Sequence, residues 1–220
     1  MKIILIAGIK GGSGKSTITV NLATALSANN RVLVVDADKQ ASSFEWCLER
    51  EKTDENKIAA IQCFGAIDTI ITKHVKNYDY IIIDCSGRDS TELRTALTIA
   101  DNVLIPLKPS TFDFSTFPAM AELIENAKQI NEKLTAHVVL SIVPTNSGHK
   151  EITGSREAIK NYSDDIEVAR TIIFDRKWYK DSSADGVGVV EMTINNSSLY
   201  NAKQEIYQLI DEVIYGNSKD

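Results

Sequence analysis

The sequence is short of the residues that mark extracellular, metal–sulfur or membrane proteins. It has three cysteines, Cys47, Cys63 and Cys85, an odd number without CxxC or Cys/His ligand spacing. That pattern implies no disulfide framework and offers no basis for a metal–sulfur centre. The longest apolar runs, such as Ile3–Ala7 and Val32–Val35, are strand-length, far below the ~20 residues that cross a bilayer. The amino terminus passes from Lys2 straight into such a run, with no cleavable-signal pattern. Positive charge is not in excess either. The 24 Lys and Arg against 30 Asp and Glu leave a net charge of −6, which argues against a surface that coats nucleic acid everywhere but allows a local basic patch. Repeats, low-complexity tracts and linkers are also missing. Residues 1–220 are therefore expected to form a single domain in a reducing, cytoplasmic setting.

What the sequence does have is alternation of apolar strands with amphipathic segments. Strands are expected at Ile3–Ala7, Arg31–Val35, Gln62–Phe64, Tyr80–Asp84, Asn102–Pro106, His137–Val143 and Arg170–Phe174. Helices are expected from Gly14 to Ser27 and over Ala41–Arg50, Ala66–Lys76, Thr91–Ile99, Asp113–Glu132, Ile152–Tyr162 and Leu199–Ile214. Strands that are apolar throughout and separated by helices imply a parallel sheet covered on both faces. The expected fold class is therefore α/β, a doubly wound, mainly parallel sheet with ligands at the carboxyl ends of its strands.

The first such end carries Gly8-Ile9-Lys10-Gly11-Gly12-Ser13-Gly14-Lys15-Ser16-Thr17. Three glycines among four residues, Gly11, Gly12 and Gly14, let backbone N–H groups, including that of Ser13, converge on phosphate oxygens without Cβ clashes. The helix starting at Gly14 adds its positive dipole end. Lys15 can reach the β- and γ-phosphates, the Ser16 hydroxyl can ligate magnesium, and Thr17 is placed for the α-phosphate. ATP and Mg2+ are the expected ligands. Two further apolar runs end in acids: Val32–Val35 runs into Asp36-Ala37-Asp38, and Tyr80–Ile83 into Asp84. An acid at such a strand end holds magnesium through water, although helix N-capping is the ordinary alternative.

Ile9 stands where the general P-loop pattern has glycine, yet Lys10–Ser16 matches Lys-Gly-Gly-x-Gly-Lys-[Ser/Thr] throughout. This loop resembles that of the ParA/MinD superfamily of deviant Walker-type ATPases, and the chain looks most like a small plasmid-partition ParA. The resemblance implies that Lys10 crosses a homodimer interface to the partner's nucleotide. It implies that Asp38 orients or deprotonates the attacking water and that Asp36 supports the magnesium shell, within an Asp-x-Asp-x-Gln segment ending at Gln40. Lys39 replaces the proline usual before that glutamine. Cys85-Ser86-Gly87-Arg88 fills the switch position; Gly87 can approach the γ-phosphate, and Cys85, with no activating histidine, reads as packing. On the adenine side the resemblance points to Pro106, in a segment reaching Ser110 and Asp113, and to Pro144 and Asn146.

The same resemblance, with the short chain and no N-terminal DNA-reading extension, implies an ATP dimer that binds nonspecific DNA. A ParB-like centromere-binding protein would reset it, and hydrolysis would be slow alone. From the residues themselves, 148–180 carry Lys150, Arg156, Lys160, Arg170, Arg176, Lys177 and Lys180 against six acids. The densest cluster, Arg176-Lys177-Trp178-Tyr179-Lys180, interleaves aromatics with cations as a phosphate-backbone contact does; a solvated helix face with two packed aromatics is the competing reading. Arg170, Arg176, Lys177 and Lys180 are the expected DNA contacts, and the ATP state is expected on the nucleoid. MinD-like membrane cycling needs a basic amphipathic tail. The closing helix instead carries Glu205, Asp211 and Glu212, so no stable membrane association is expected. Positioning of a non-DNA cargo by the same chemistry stays open.

Overall fold

Alternation along the first strand decides the architecture. In β1 (Lys2–Ile6), Ile3 and Leu5 enter one buried cluster while Ile4 and Ile6 enter another on the opposite face. In β4 (Tyr80–Cys85), Ile81 and Ile83 likewise face the first cluster and Ile82 the second. Side chains of a strand point alternately to either face, so a strand that is apolar at every position is stable only between two layers of helix. Each Ile or Val buried this way contributes roughly 1.5–3 kcal/mol.

The computed structural model describes residues 1–52, 58–74, 76–87, 89–109, 115–162 and 164–216. The remaining strands are β2 (Val32–Ala37), β3 (Ala59–Gln62), β5 (Asn102–Leu107), β6 (Thr135–Val143) and β7 (Glu167–Phe174). They form a seven-stranded parallel sheet of order β3-β2-β4-β1-β5-β6-β7, the expected doubly wound fold. The helices are α1 (Lys15–Ser27), α2 (Ser42–Arg50), α3 (Ile67–His74), α4 (Thr91–Leu97), α5 (Phe117–Lys128), α6 (His149–Lys160), α7 (Lys177–Ala184) and α8 (Ser197–Leu209). Among the described residues no helix is long and apolar enough to cross a membrane.

Three expectations shift. The edge strand lies at Ala59–Gln62 and not Gln62–Phe64, because the chain leaves the sheet at Gly65, whose φ of 79° turns it away. The segment Lys177–Ala184 is a helix, unforeseen because only Trp178, Tyr179 and Ser182 mark its buried side. The closing helix ends at Leu209 and widens into a π-turn over Ile210–Ile214. Its apolar face, Leu199, Ala202, Ile206 and Leu209, packs into the second cluster. Arg88, Ser110 and Asp113 lie outside the described residues.

The register sets the site. Ile6 and Asp36 both lie opposite Asp84, so the phosphate loop and two acids leave the sheet side by side. The chain turns to either side of β1, with β4 on one flank and β5 on the other. Such a switch point is where open α/β sheets hold ligands.

Candidate functional site

The loop after β1 takes the backbone its glycines allow. Gly12 and Gly14 have φ of 73° and 89°, left-handed values that cost a residue with a Cβ. Gly14 caps α1 without a side-chain hydrogen bond, leaving the first N–H groups of that helix to a ligand. The loop is braced from below: the Ser141 hydroxyl donates to the Ser13 carbonyl at 2.6 Å. Lys15 is buried, and its ammonium donates to the Lys10 carbonyl at 2.8 Å. Burial lowers its pKa, while Asp84 and Asp38 pull it back up.

Asp84 is buried beside this lysine, and its Oδ2 has no hydrogen-bond partner. Burial pushes its carboxyl from 3.8 up to about 7; the hydroxyls of Ser16 and Ser43 turned toward it, and Lys15, work the other way. A buried carboxylate oxygen left open next to a serine hydroxyl at a phosphate loop suits a magnesium shell, and the donor set of hydroxyl and carboxylate oxygen is what a hard cation takes.

Both oxygens of Asp36, expected to support the magnesium shell, are engaged around the start of α2: Oδ1 accepts from the Asp38 N–H at 2.9 Å, and Oδ2 from the Ser43 N–H, the Ser43 hydroxyl and the Phe44 N–H at 2.7–3.0 Å. Asp36 anchors the start of α2 through a turn in which Ala41 adopts φ 54°, and its charge helps to raise the Asp84 carboxyl. Asp38 is half-buried, with Oδ1 accepting from the Gln40 N–H. Gly87 lies hard against the phosphate loop, where a Cβ would meet the Lys10 carbonyl carbon at 2.8 Å. Cys85 is fully buried, and burial holds its thiol protonated, as a packing residue should be.

Of the adenine-side residues, Pro106 is buried inside β5, as its expected strand has it, and lines a small void under Gly8–Lys10. Pro144 and Asn146 are exposed. The cavity that opens beside Gly14 and Thr17, about 640 Å³, is lined by Lys108, Ile142, Phe174, Asp175, Arg176, Tyr179, Lys180 and Ser183, within the size range of small-molecule pockets. Most of these were missed, although Phe174 and Asp175 close a strand by the same pattern that exposed Asp84.

The expected DNA cluster divides. Trp178 and Tyr179 are buried and cannot stack on a nucleic acid. Arg176 is 12% exposed; its Nε donates to Glu205 Oε1 at 2.6 Å, and its guanidinium lies over the Phe174 ring. It is a core ion pair because Glu205, itself 8% exposed, needs a cation there. Lys177 and Lys180 are 70% and 79% exposed, and Arg170 is exposed beside Glu212.

Comparison with known proteins agrees with this geometry. Residues 4–189 match the family described as the CobQ/CobB/MinD/ParA nucleotide binding domain. The chain is 28% identical over 213 residues to maintenance of carboxysome distribution protein A of Halothiobacillus neapolitanus, covering 96% of this chain and 95% of that one. It is 29% identical over 185 residues to protein ParA of Rhizobium radiobacter, covering 81% of each. In fold it resembles the ATP complex of Cyanothece McdA, with a TM-score of 0.80 at 17% identity over 100% of this chain and 98% of that one. With its phosphate loop, open Asp84 oxygen and parallel sheet, the chain belongs to the CobQ/CobB/MinD/ParA family of nucleotide-binding domains.

Proposed function

We propose that the chain is an ATP-hydrolysing switch for DNA partition, which dimerises with magnesium–ATP, holds nonspecific DNA as the dimer and is reset by a ParB-like centromere-binding partner. The observation that supports it most is the buried, unpartnered Asp84 oxygen beside a phosphate-loop lysine that donates to Lys10. Magnesium held by Ser16 and, through water, by Asp84 would neutralise charge on the phosphates. Lys15 would leave the Lys10 carbonyl for phosphate oxygens. Asp38 would align a water on the γ-phosphorus and take its proton as the bond to the leaving ADP oxygen breaks. Lys10, from the partner subunit, would balance the charge that develops, as an arginine finger does. A site completed in trans turns over slowly on its own.

Sedimentation with a nonhydrolysable ATP analogue should give a dimer for the parent chain and a monomer for Lys10→Ala; equal dimerisation would remove the trans role. For DNA the candidate contacts become Lys177, Lys180 and Arg170. Lys177→Ala with Lys180→Ala should weaken retention on DNA several-fold and flatten its salt dependence by roughly one contact per lysine, with thermal stability unchanged within about 0.5 kcal/mol. Unchanged retention would move the interface elsewhere.

A second reading has one observation in its favour. The relative named for carboxysome distribution matches nearly the whole of both chains, more than the plasmid relative does. The same DNA-held switch would then position a protein compartment, and loss of the gene would scatter that compartment while leaving plasmid inheritance intact. Membrane cycling is disfavoured because the apolar face of α8 is already packed.

A further inference from the structure

We propose that Lys108 is a further phosphate-positioning residue, binding the nucleotide's phosphate chain from the same subunit as the loop. The inference rests on reading Lys10–Thr17 as a triphosphate site and adds a residue to it. Lys108 is the first residue beyond β5, whose register with β1 places Leu104 opposite Ile6, so it leaves the sheet beside the phosphate loop. Its ammonium hangs over that loop: a Cβ on Gly12 would lie 3.9 Å from Lys108 Nζ. Together with Gly14 and Thr17 it lines the wall of the large cavity that starts at the head of α1.

The charge pattern says what belongs there. Lys108 is half-buried, and it makes no hydrogen bond or ion pair among the described residues. It lines the cavity together with Gly14 and Thr17 at the head of α1, where the positive end of the helix and a cation both favour an anion. The cavity's own acid, Asp175, already lies 3.5 Å from Lys180. The other cavity cation, Arg176, is held by Glu205. What remains is an ammonium without a partner among the described residues, close to Gly12 of the loop, a donor complementary to a phosphate oxygen. Because Lys108 would act in cis, its effect is present with ADP as well as ATP, and in the monomer. A lysine that acts across a dimer is felt with ATP alone.

The test is titration of the full chain with magnesium–ADP and with a nonhydrolysable magnesium–ATP analogue at dilutions where it is monomeric. Lys108→Ala should weaken both roughly 5- to 20-fold, as loss of one charge-assisted contact does, with an unchanged melting temperature of the nucleotide-free protein. Lys108→Arg should recover most of that affinity. Equal affinities for parent and Lys108→Ala would overturn the inference, as would a loss confined to the ATP dimer. A drop in melting temperature for Lys108→Ala that Lys108→Arg does not repair would overturn it too, assigning the side chain to packing. If the parent chain bound neither nucleotide, the triphosphate reading itself would fail, an outcome distinct from the others.

Discussion

The two halves of the sheet's carboxyl edge are built differently. At the β2–β4–β1 edge the polar groups come from short contiguous segments whose backbone dictates their direction: a glycine loop, and acids that follow apolar strands into register. At the β6–β7 edge the cavity is assembled from side chains of separate elements, over a backbone that breaks its own rules. Ile142, a β-branched residue, sits at φ 53° next to a register shift between β6 and β7. Such a residue costs of order 1–3 kcal/mol; its side chain reaches Gly14, where a Cβ would contact it at 3.5 Å. The first edge is prescribed locally, and the second exists only once the chain is folded.

Three substitutions probe that contrast. The largest effect is expected at the folded-only edge. Arg176→Ala would leave Glu205 buried without its cation, costing about 3–5 kcal/mol and lowering the denaturation midpoint. A loss below about 1 kcal/mol would return Arg176 to the exposed DNA set. Next comes Asp84→Asn at the prescribed edge. The folded carboxyl titrates near 7 against an ordinary 3.8, so its favourable contribution is complete below 3.8 and lost as pH rises through 7. In nucleotide-free protein, the variant should gain stability over the parent between pH 4 and 8, by an amount on the order of 2–4 kcal/mol at the upper end, and lose magnesium-stimulated turnover. A parallel pair of stability–pH curves would show that Asp84 is not held against its charge. The smallest is Gly87→Ala, whose methyl must displace the Lys10 backbone. About 1–3 kcal/mol of stability should be lost together with roughly tenfold in ATP turnover, and normal turnover would mean that the two loops move independently.

What could be read in the sequence follows the same division. The parallel sheet was legible because its strands are apolar at every position, and the phosphate loop because glycine and lysine spacing determines backbone geometry directly. The place of Asp84 beside the loop was legible because it follows an unbroken apolar strand. The four donors to Asp36 were not legible, because they depend on the left-handed turn at Ala41, which no glycine announces. Arg176 looked solvent-facing because its partner lies 29 residues away on α8, beyond any periodicity. The aromatic neighbours that suggested stacking on a nucleic acid are the buried side of a short helix. Pro106 was named for the base from the resemblance alone, and its place inside β5 leaves that contact untested.

The contact of Gly87 with the phosphate loop has one more consequence. The segment after β4 rests on the carbonyl that Lys15 grips, with no clearance for even a methyl group between them. Drawing the Lys15 ammonium toward an anion releases that carbonyl at the point of contact. If the two loops move together, as Gly87→Ala tests, whatever fills the first would set the posture of the second, and loading would need no separate sensor.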